Sequence, residues 1–286
     1  VIKRYLGFMT NLGTSYYFIP SEEYEEDGVY NPDYIDKGIA LKTGYPIKEY
    51  PELDHQTSTA SIDVKMKDLK QLIKFTSKDK THPVLQTLML RKFDGKYKLV
   101  ATDGYILAWQ DVTATDIPNI SHPINLPAEF IKYVTMLKTD KVKIELNDEY
   151  AWASYLGGLD YEMLISKMKD HEQPDLDRIL NQHDRVTIKQ IVDLASIPKD
   201  VFLDLEDRTF KIKDDDTKVN IQSSISEPML DAIYTTSDSG FIIMPIIQGE
   251  KSYLSTKSLH KIKAKKVEVY SAPNQKEPVF IKIVEQ

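Results

Sequence analysis

The run Leu99-Val100-Ala101-Thr102-Asp103-Gly104-Tyr105-Ile106-Leu107-Ala108 limits the fold more than any other stretch of this chain. It is an apolar strand that enters a tight Asp-Gly turn and leaves in a second apolar run. Asp-Gly supplies the left-handed backbone that a tight reversal needs. A second such pair, Asp94-Gly95, separates strands expected at 85–90 and 97–102. Strands joined by such short turns must pair antiparallel. Farther on, Gln173-Pro174-Asp175-Leu176-Asp177-Arg178-Ile179-Leu180 reads as a junction.

Around these strands an order is visible twice. Val64, Leu69, Leu72, Ile73 and Phe75 contain the i, i+3, i+4 spacing of an amphipathic helix, with Lys65, Lys67, Lys70 and Lys74 at its other positions. A second helix is expected at 128–137, after Pro127, and hairpin strands at 141–146 and 151–155 around Asn147-Asp148. After the junction, 187–195 reads as a helix capped by Thr187. Strands are expected at 201–205, 209–212, 219–223 and 240–247, then a helix at 255–262 and strands at 266–270 and 278–284. Residues 1–57 differ: they are tyrosine-rich, broken by Pro20, Pro32, Pro46 and Pro51, and carry the acidic run Glu22-Glu23-Tyr24-Glu25-Glu26-Asp27. This reads as an irregular segment, possible as a partial domain, with a solvated acidic loop.

The 286 residues suffice for about two domains with hydrophobic cores. No apolar run is long enough to span a membrane; the longest, near 241–247, is interrupted by Pro245. The first ten residues lack an initiator Met and are too short in apolar character for a secretory signal, so residues upstream are expected. With no cysteine there is no disulfide, thiolate nucleophile or cysteine zinc site, and the six His are scattered singly. A cytoplasmic protein without cofactor or metal is the expectation. The net charge of −7 argues against wholesale coating of nucleic acid, but residues 1–56 hold ten acidic and five basic side chains, which leaves the rest near neutral.

No phosphate-binding loop, dinucleotide fingerprint, zinc-protease motif or serine elbow occurs. Gly157-Gly158 reads as a turn, and Asp214-Asp215-Asp216 as a loop lacking the spaced oxygen ligands of a cation site. The chain is not expected to be an enzyme. Its remaining chemistry is electrostatic: lysines accompany every expected helix, with Lys65, Lys67, Lys70 and Lys74 on the first and Lys132 and Lys138 on the second. Lys189 falls on the third, and Lys257, Lys261 and Lys263 on the fourth.

The strand-turn-strand at 99–108 followed by the junction at 173–180 resembles the middle domain of the bacterial sliding clamp, the DNA polymerase III beta subunit, where V-A-T-D-G-H-R-L-A precedes F-P-D-Y-R-R-V-L. His122-Pro123-Ile124-Asn125-Leu126-Pro127 is similar to that family's strand before its second helix. The resemblance implies a DNA-clamp-like α+β fold of two repeated domains, 58–182 and 183–286, each with two helices packed on antiparallel sheets. It implies a processivity factor that encircles duplex DNA without reading sequence and tethers polymerase and clamp-loader peptides. Three domains per chain close the family's ring as a dimer, so chains of two would need a trimer. The alternative is a clamp-like interaction protein that binds replication factors as a monomer.

Carried over residue by residue, the family's peptide groove falls on Thr102, Gly104, Tyr105, Ile106, Leu107, Pro174, Arg178 and Ile179, with Leu107 and Ile179 equally readable as core. The helix lysines would face the DNA, and Lys96 and Lys98 the outside. Several positions depart from the family: Tyr105-Ile106 replaces His-Arg, Gln173 the aromatic, Leu176 the tyrosine and Asp177 the first arginine. The family's terminal M-P-M-R, which lines the groove, is absent from the last residues. Met244-Pro245 is read as preceding a helix and receives no such role.

Overall fold

The computed structural model describes residues 58–286 except 158, 159, 170, 213, 214, 216, 236–238, 275 and 286. The expectations for 1–57, for Gly158 and for Asp214 and Asp216 lie outside the described residues. Asp215 is described, and its carboxylate accepts from the Thr217 amide (2.9 Å) and hydroxyl (2.6 Å), which makes it a turn residue.

The first half opens with β1 (Ala60–Lys65) and α1 (Met66–Leu72), followed by β2 (Thr87–Phe93), β3 (Lys96–Thr102) and β4 (Ile106–Thr115). It continues with β5 (Asn125–Pro127), α2 (Ala128–Val134), β6 (Lys141–Leu146), β7 (Tyr150–Gly157) and β8 (Asp160–Lys167). A short α3 (Asp177–Leu180) marks the junction. The second half holds β9 (Ile188–Asp193), β10 (Val201–Asp204), β11 (Thr209–Ile212), β12 (Lys218–Asn220) and β13 (Gly240–Ile243). It ends with β14 (Ile246–Gln248), β15 (Lys251–Ser255), α4 (Thr256–Leu259), β16 (Lys266–Ser271) and β17 (Val279–Glu285). All ladders are antiparallel.

The halves repeat one plan. β1 pairs with β6 as β9 pairs with β16, and β2 pairs with β5 as β10 pairs with β15. β1, β5 and β15 each run directly into a helix whose N-cap is the strand's last residue. β9 departs from this plan. The helix expected at 187–195 is instead this strand followed by a single 3-10 turn, Leu194–Ser196, capped by the Asp193 carboxylate. Ile188, Ile191, Val192 and Leu194 imitate helical spacing, but Gln190 and Val192 are the buried positions, a period of two that suits β-branched side chains.

Other boundaries moved for similar reasons. Val64 belongs to β1, which the helical reading absorbed. α2 ends at Val134, and Thr135–Leu137 close in turn hydrogen bonds. The strand expected at 240–247 breaks at Met244-Pro245 into β13 and β14, which join different sheets; β14 and β15 then separate Pro245 from α4.

β4 ties the chain together. Its beginning pairs with β3 on one side and β13 on the other, and its end, Thr113–Thr115, pairs with β1. The resulting sheet runs β8-β7-β6-β1-β4-β13-β17-β16-β9, with β3, β2 and β5 branching from β4; β12-β11-β10-β15-β14 form a second sheet. Alternation along the strands makes two cores. Ile106, Ala108, Phe241, Ile243, Val279 and Ile281 face the helices, whose Leu69, Leu72, Phe130, Ile131, Val134 and Leu259 complete the larger core. Leu107, Trp109, Ile242 and Phe280 face the other way and are covered by Leu176, Leu180 and Val186 of the junction.

At the β4–β13 seam Gly240 is directly opposite Trp109. A Cβ on Gly240 would stand 2.6 Å from the fully buried Trp109 ring and 2.6 Å from the Tyr234 hydroxyl. Gly240→Ala is therefore expected to cost about 1–3 kcal/mol by overpacking, measured as a lower urea midpoint with an unchanged slope.

Lys98, expected on the outer surface, is a correction. Its side chain is 1% exposed, and its ammonium donates to Asp111 at 2.5 Å; Lys96 reaches the same carboxylate at 3.5 Å. Residues Lys98 and Val100 share a face of β3, so the aliphatic stem lies in the second core's layer. Asp111→Ala should destabilise by about 3–5 kcal/mol because it strands a buried ammonium, whereas Lys98→Met should be near neutral. Equal losses in the two variants would contradict this asymmetry.

Candidate partner groove and lysine face

The Asp103 turn is built by its own side chains. The Asp103 carboxylate accepts from the amides of Tyr105 (3.0 Å) and Ile106 (2.9 Å), the Thr102 hydroxyl accepts from the Gly104 amide (3.1 Å), and Gly104 has φ +92°. Lys261, just past α4, donates to the other Asp103 oxygen at 2.5 Å, and the Lys261 carbonyl accepts from Gln71 of α1 at 3.0 Å. Burial pushes the Asp103 carboxyl up, but the hydrogen bond from Lys261 and the two amides outweigh it and hold it below its ordinary value of 3.8. Turn, α1 and the α4 end are thus locked across the two halves.

The structure brings together part of the expected groove. Thr102 and Leu107 are paired opposite each other, and Leu107 sits with Ile179 in the second core. Leu107 is only 5% exposed, so it is mainly a core residue; Pro174 and Ile179 remain half-buried, and Arg178 is exposed. Tyr105, 73% exposed, stands at the rim. Ile106 is a correction: its side chain points to the opposite face, into the helix-side core, because successive strand residues alternate.

Sequence reasoning missed Met244. Its amide donates to the Tyr105 carbonyl at 3.1 Å, and its side chain is 48% exposed, which puts it at the same rim. The sequence reading gives Met244-Pro245 no role because it places the pair before a helix, whereas the pair follows β13 and precedes β14. The junction's departures are also accounted for. Arg91 donates to Gln173 at 3.2 Å and lies 3.2 Å from the Asp177 carboxylate, so one β2 arginine serves both altered positions. The Gln173 amide binds Ile124 and Asn125, while Leu176 is buried in the second core.

Most expected DNA-facing lysines are exposed on the helix units: Lys67 and Lys70 on α1, Lys132 on α2, Lys257 on α4, with Lys65 at the end of β1 and Lys138 and Lys263 in the turns after helices. Lys70 and Lys138 line one shallow depression, and Lys65 and Lys67 share another with Lys282. Lys74 is held below its ordinary value by burial and by repulsion from Lys263, so cationic groups of the two halves meet here. Two lysines are corrections. Lys189 lies on a strand, 3.2 Å from Glu268, and Lys261 is committed to Asp103.

Among solved structures, the DNA polymerase III beta subunit from Thermotoga maritima matches with a TM-score of 0.53 and 12% identity over 96% of this chain and 77% of that one. The beta subunit from Pseudomonas aeruginosa matches with a TM-score of 0.53 and 15% identity over 87% and 72%. The Helicobacter pylori beta clamp bound to a DNA ligase peptide gives 0.53 and 12% over 86% and 71%. The chain has the fold of a bacterial DNA sliding clamp. No protein-family model and no curated protein sequence matches it. Among the described residues of this clamp fold no helix is long and apolar enough to cross a membrane, and no group of acidic or His side chains is placed to hold a metal ion.

Asp103→Asn should lower stability by about 1–3 kcal/mol, the cost of leaving a partly buried partner unsatisfied. The carboxyl's folded value is depressed, so its contribution is present above about 3.8 and is lost as pH falls through the folded value. The gap between the native chain and the variant, followed by urea denaturation, should therefore close as pH drops below about 4.

Proposed function

We propose that the chain is a sliding clamp that encircles duplex DNA as a homo-oligomeric ring and tethers replication proteins through short peptides. It is a cytoplasmic, non-enzymatic processivity factor in this reading. Its two clamp-type domains divide near 182. The observation that carries the proposal is the set of exposed lysines along the helix units of a clamp fold, beside which Lys74 is depressed first by its burial and then by Lys263. Flexible lysines bind phosphates without reading bases, which is what sliding requires.

The partner groove uses Thr102, Gly104, Pro174, Arg178 and Ile179, with Tyr105 and Met244 as its accessible rim. Leu107 supplies the floor, and neither Ile106 nor a paired Lys189 or Lys261 takes part directly. Gly104→Trp is a poor probe, because its φ of +92° makes any side chain there strained. Met244→Glu combined with Tyr105→Ala acts on exposed positions. These changes should weaken binding of a clamp-binding peptide from a replicative polymerase at least tenfold, with the melting temperature nearly unchanged. Unaltered peptide affinity would remove the groove.

For DNA, a closed ring should be oligomeric by light scattering, retained on circular duplexes and lost from linear ones. A monomer that binds the peptide but not circular DNA would instead favour the non-ring reading. Changing Lys70 and Lys74 to Glu should flatten the slope of log affinity against log salt by nearly two units, about 0.9 per phosphate contact. Lys92, exposed on β2, is the control in place of the buried Lys98; equal effects from Lys92→Glu would leave only a generic charge effect.

A further inference from the structure

The second half encloses a cavity of about 200 Å³ that neither the groove nor the lysine face uses. It lies between the two sheets, walled by Ile188 and Gln190 of β9, Leu205 after β10, Ser252 and Leu254 of β15, and Val279 of β17. Its lining is mostly apolar, with Ser271, Asn274, Glu206 and Glu277 also present, and two of its polar groups are buried. Ser252 is 8% exposed, shares a face of β15 with Leu254, and its hydroxyl has no hydrogen-bond partner. Gln190 is buried, and its amide nitrogen donates to the carbonyls of Leu205 (3.0 Å) and Ser226 (3.2 Å), which leaves its amide oxygen as the remaining acceptor. A buried hydroxyl in an apolar chamber is costly unless something supplies its partner. Among the lining residues Glu206 and Glu277 are the charged ones; Glu277 lies 3.6 Å from Arg185, so the charge that disfavours an anion is chiefly that of Glu206.

We propose that this cavity binds a small molecule with an apolar, ring-sized body, one hydroxyl at the inner end and a neutral or cationic group at the rim. The body fills the space between Ile188, Leu205, Leu254 and Val279. Its hydroxyl accepts from the Ser252 hydroxyl and donates to the Gln190 oxygen, while an ammonium at the other end faces Glu206. A few placed polar groups in a mostly apolar chamber are the usual form of such sites. The inference is independent of the clamp reading, since none of these residues belongs to the proposed groove or DNA face.

Tyramine has this chemistry and serves as the probe, titrated into the full chain and followed by calorimetry and amide chemical shifts. It should saturate and shift the signals of Gln190, Ser252 and Leu254. Phenethylamine, which lacks the hydroxyl, should bind about tenfold more weakly, the worth of one hydrogen-bonded group. The anionic 4-hydroxyphenylacetate should be weaker still. Ser252→Ala should weaken tyramine severalfold, toward the affinity of phenethylamine, since only the hydrogen bond to Gln190 remains, and should leave phenethylamine unchanged. Leu254→Trp should fill the chamber and abolish both; if that variant does not fold, the Ser252→Ala comparison decides. No saturation by tyramine, or equal affinity for native and Ser252→Ala chains, would overturn the proposal.

Discussion

The pairing of β4 with β13 is the contact on which the rest of the molecule depends. It is four residues long, Ile106–Trp109 against Gly240–Ile243, yet it makes one sheet out of two halves that are far apart in sequence. Pairing through the backbone fixes register, and register decides faces: one step of slip would turn Phe241 and Ile243 away from the helices and Ile242 toward them. Two cores on opposite faces hold the register from both sides. Phe75 beside α1 meets Phe241 at 5.3 Å between ring centroids, and Tyr234 on the other face packs against Tyr270 and Phe280 at 5.0 and 4.9 Å. Gly240 is the residue that lets Trp109 lie flat over the seam.

That seam also sets the geography of the candidate site. Because β13 ends where β4 begins, Met244 is delivered to the Asp103 turn, and the junction helix α3 closes over the outward face of the same strands. The groove's floor and the second core are therefore one structure seen from two sides. This explains why Leu107 is nearly buried while Tyr105 and Met244 remain exposed. The Asp103–Lys261 pair and the Gln71 hydrogen bond then fasten α1 to the end of α4, bringing Lys74 close to Lys263.

Buried charge is handled locally in the same economy. Lys98 is covered by its sheet and answered by Asp111, and Arg91 reconciles Gln173 with Asp177 at the junction. The junction is thus polar where the sliding-clamp motif is aromatic and basic, with one guanidinium that donates to Gln173 and forms an ion pair with Asp177.

The sequence by itself determined the elements whose signals are local. Asp94-Gly95 and Asp103-Gly104 place two turns because only a few residues tolerate left-handed backbone, and the apolar spacing at Leu69, Leu72 and Phe75 is helical whatever surrounds it. The antiparallel turns, both helices of the first half and the strands β2, β3, β6 and β7 followed from such signals, as did the motif pair at 99–108 and 173–180, whereas β1 and β8 did not. What only the tertiary structure decided is everything that depends on a distant partner. Residues 187–195 carry both a helical and an alternating pattern, and β16 beside them selected the strand. Ile106 and Leu107 are adjacent and equally apolar, yet the pleat sends them to different cores. Lys98 and Lys96 read alike, but burial across the sheet separates them. Met244 reaches the rim through the β4–β13 pairing, a contact between residues more than a hundred positions apart, and no local propensity encodes a register set by long-range backbone hydrogen bonds.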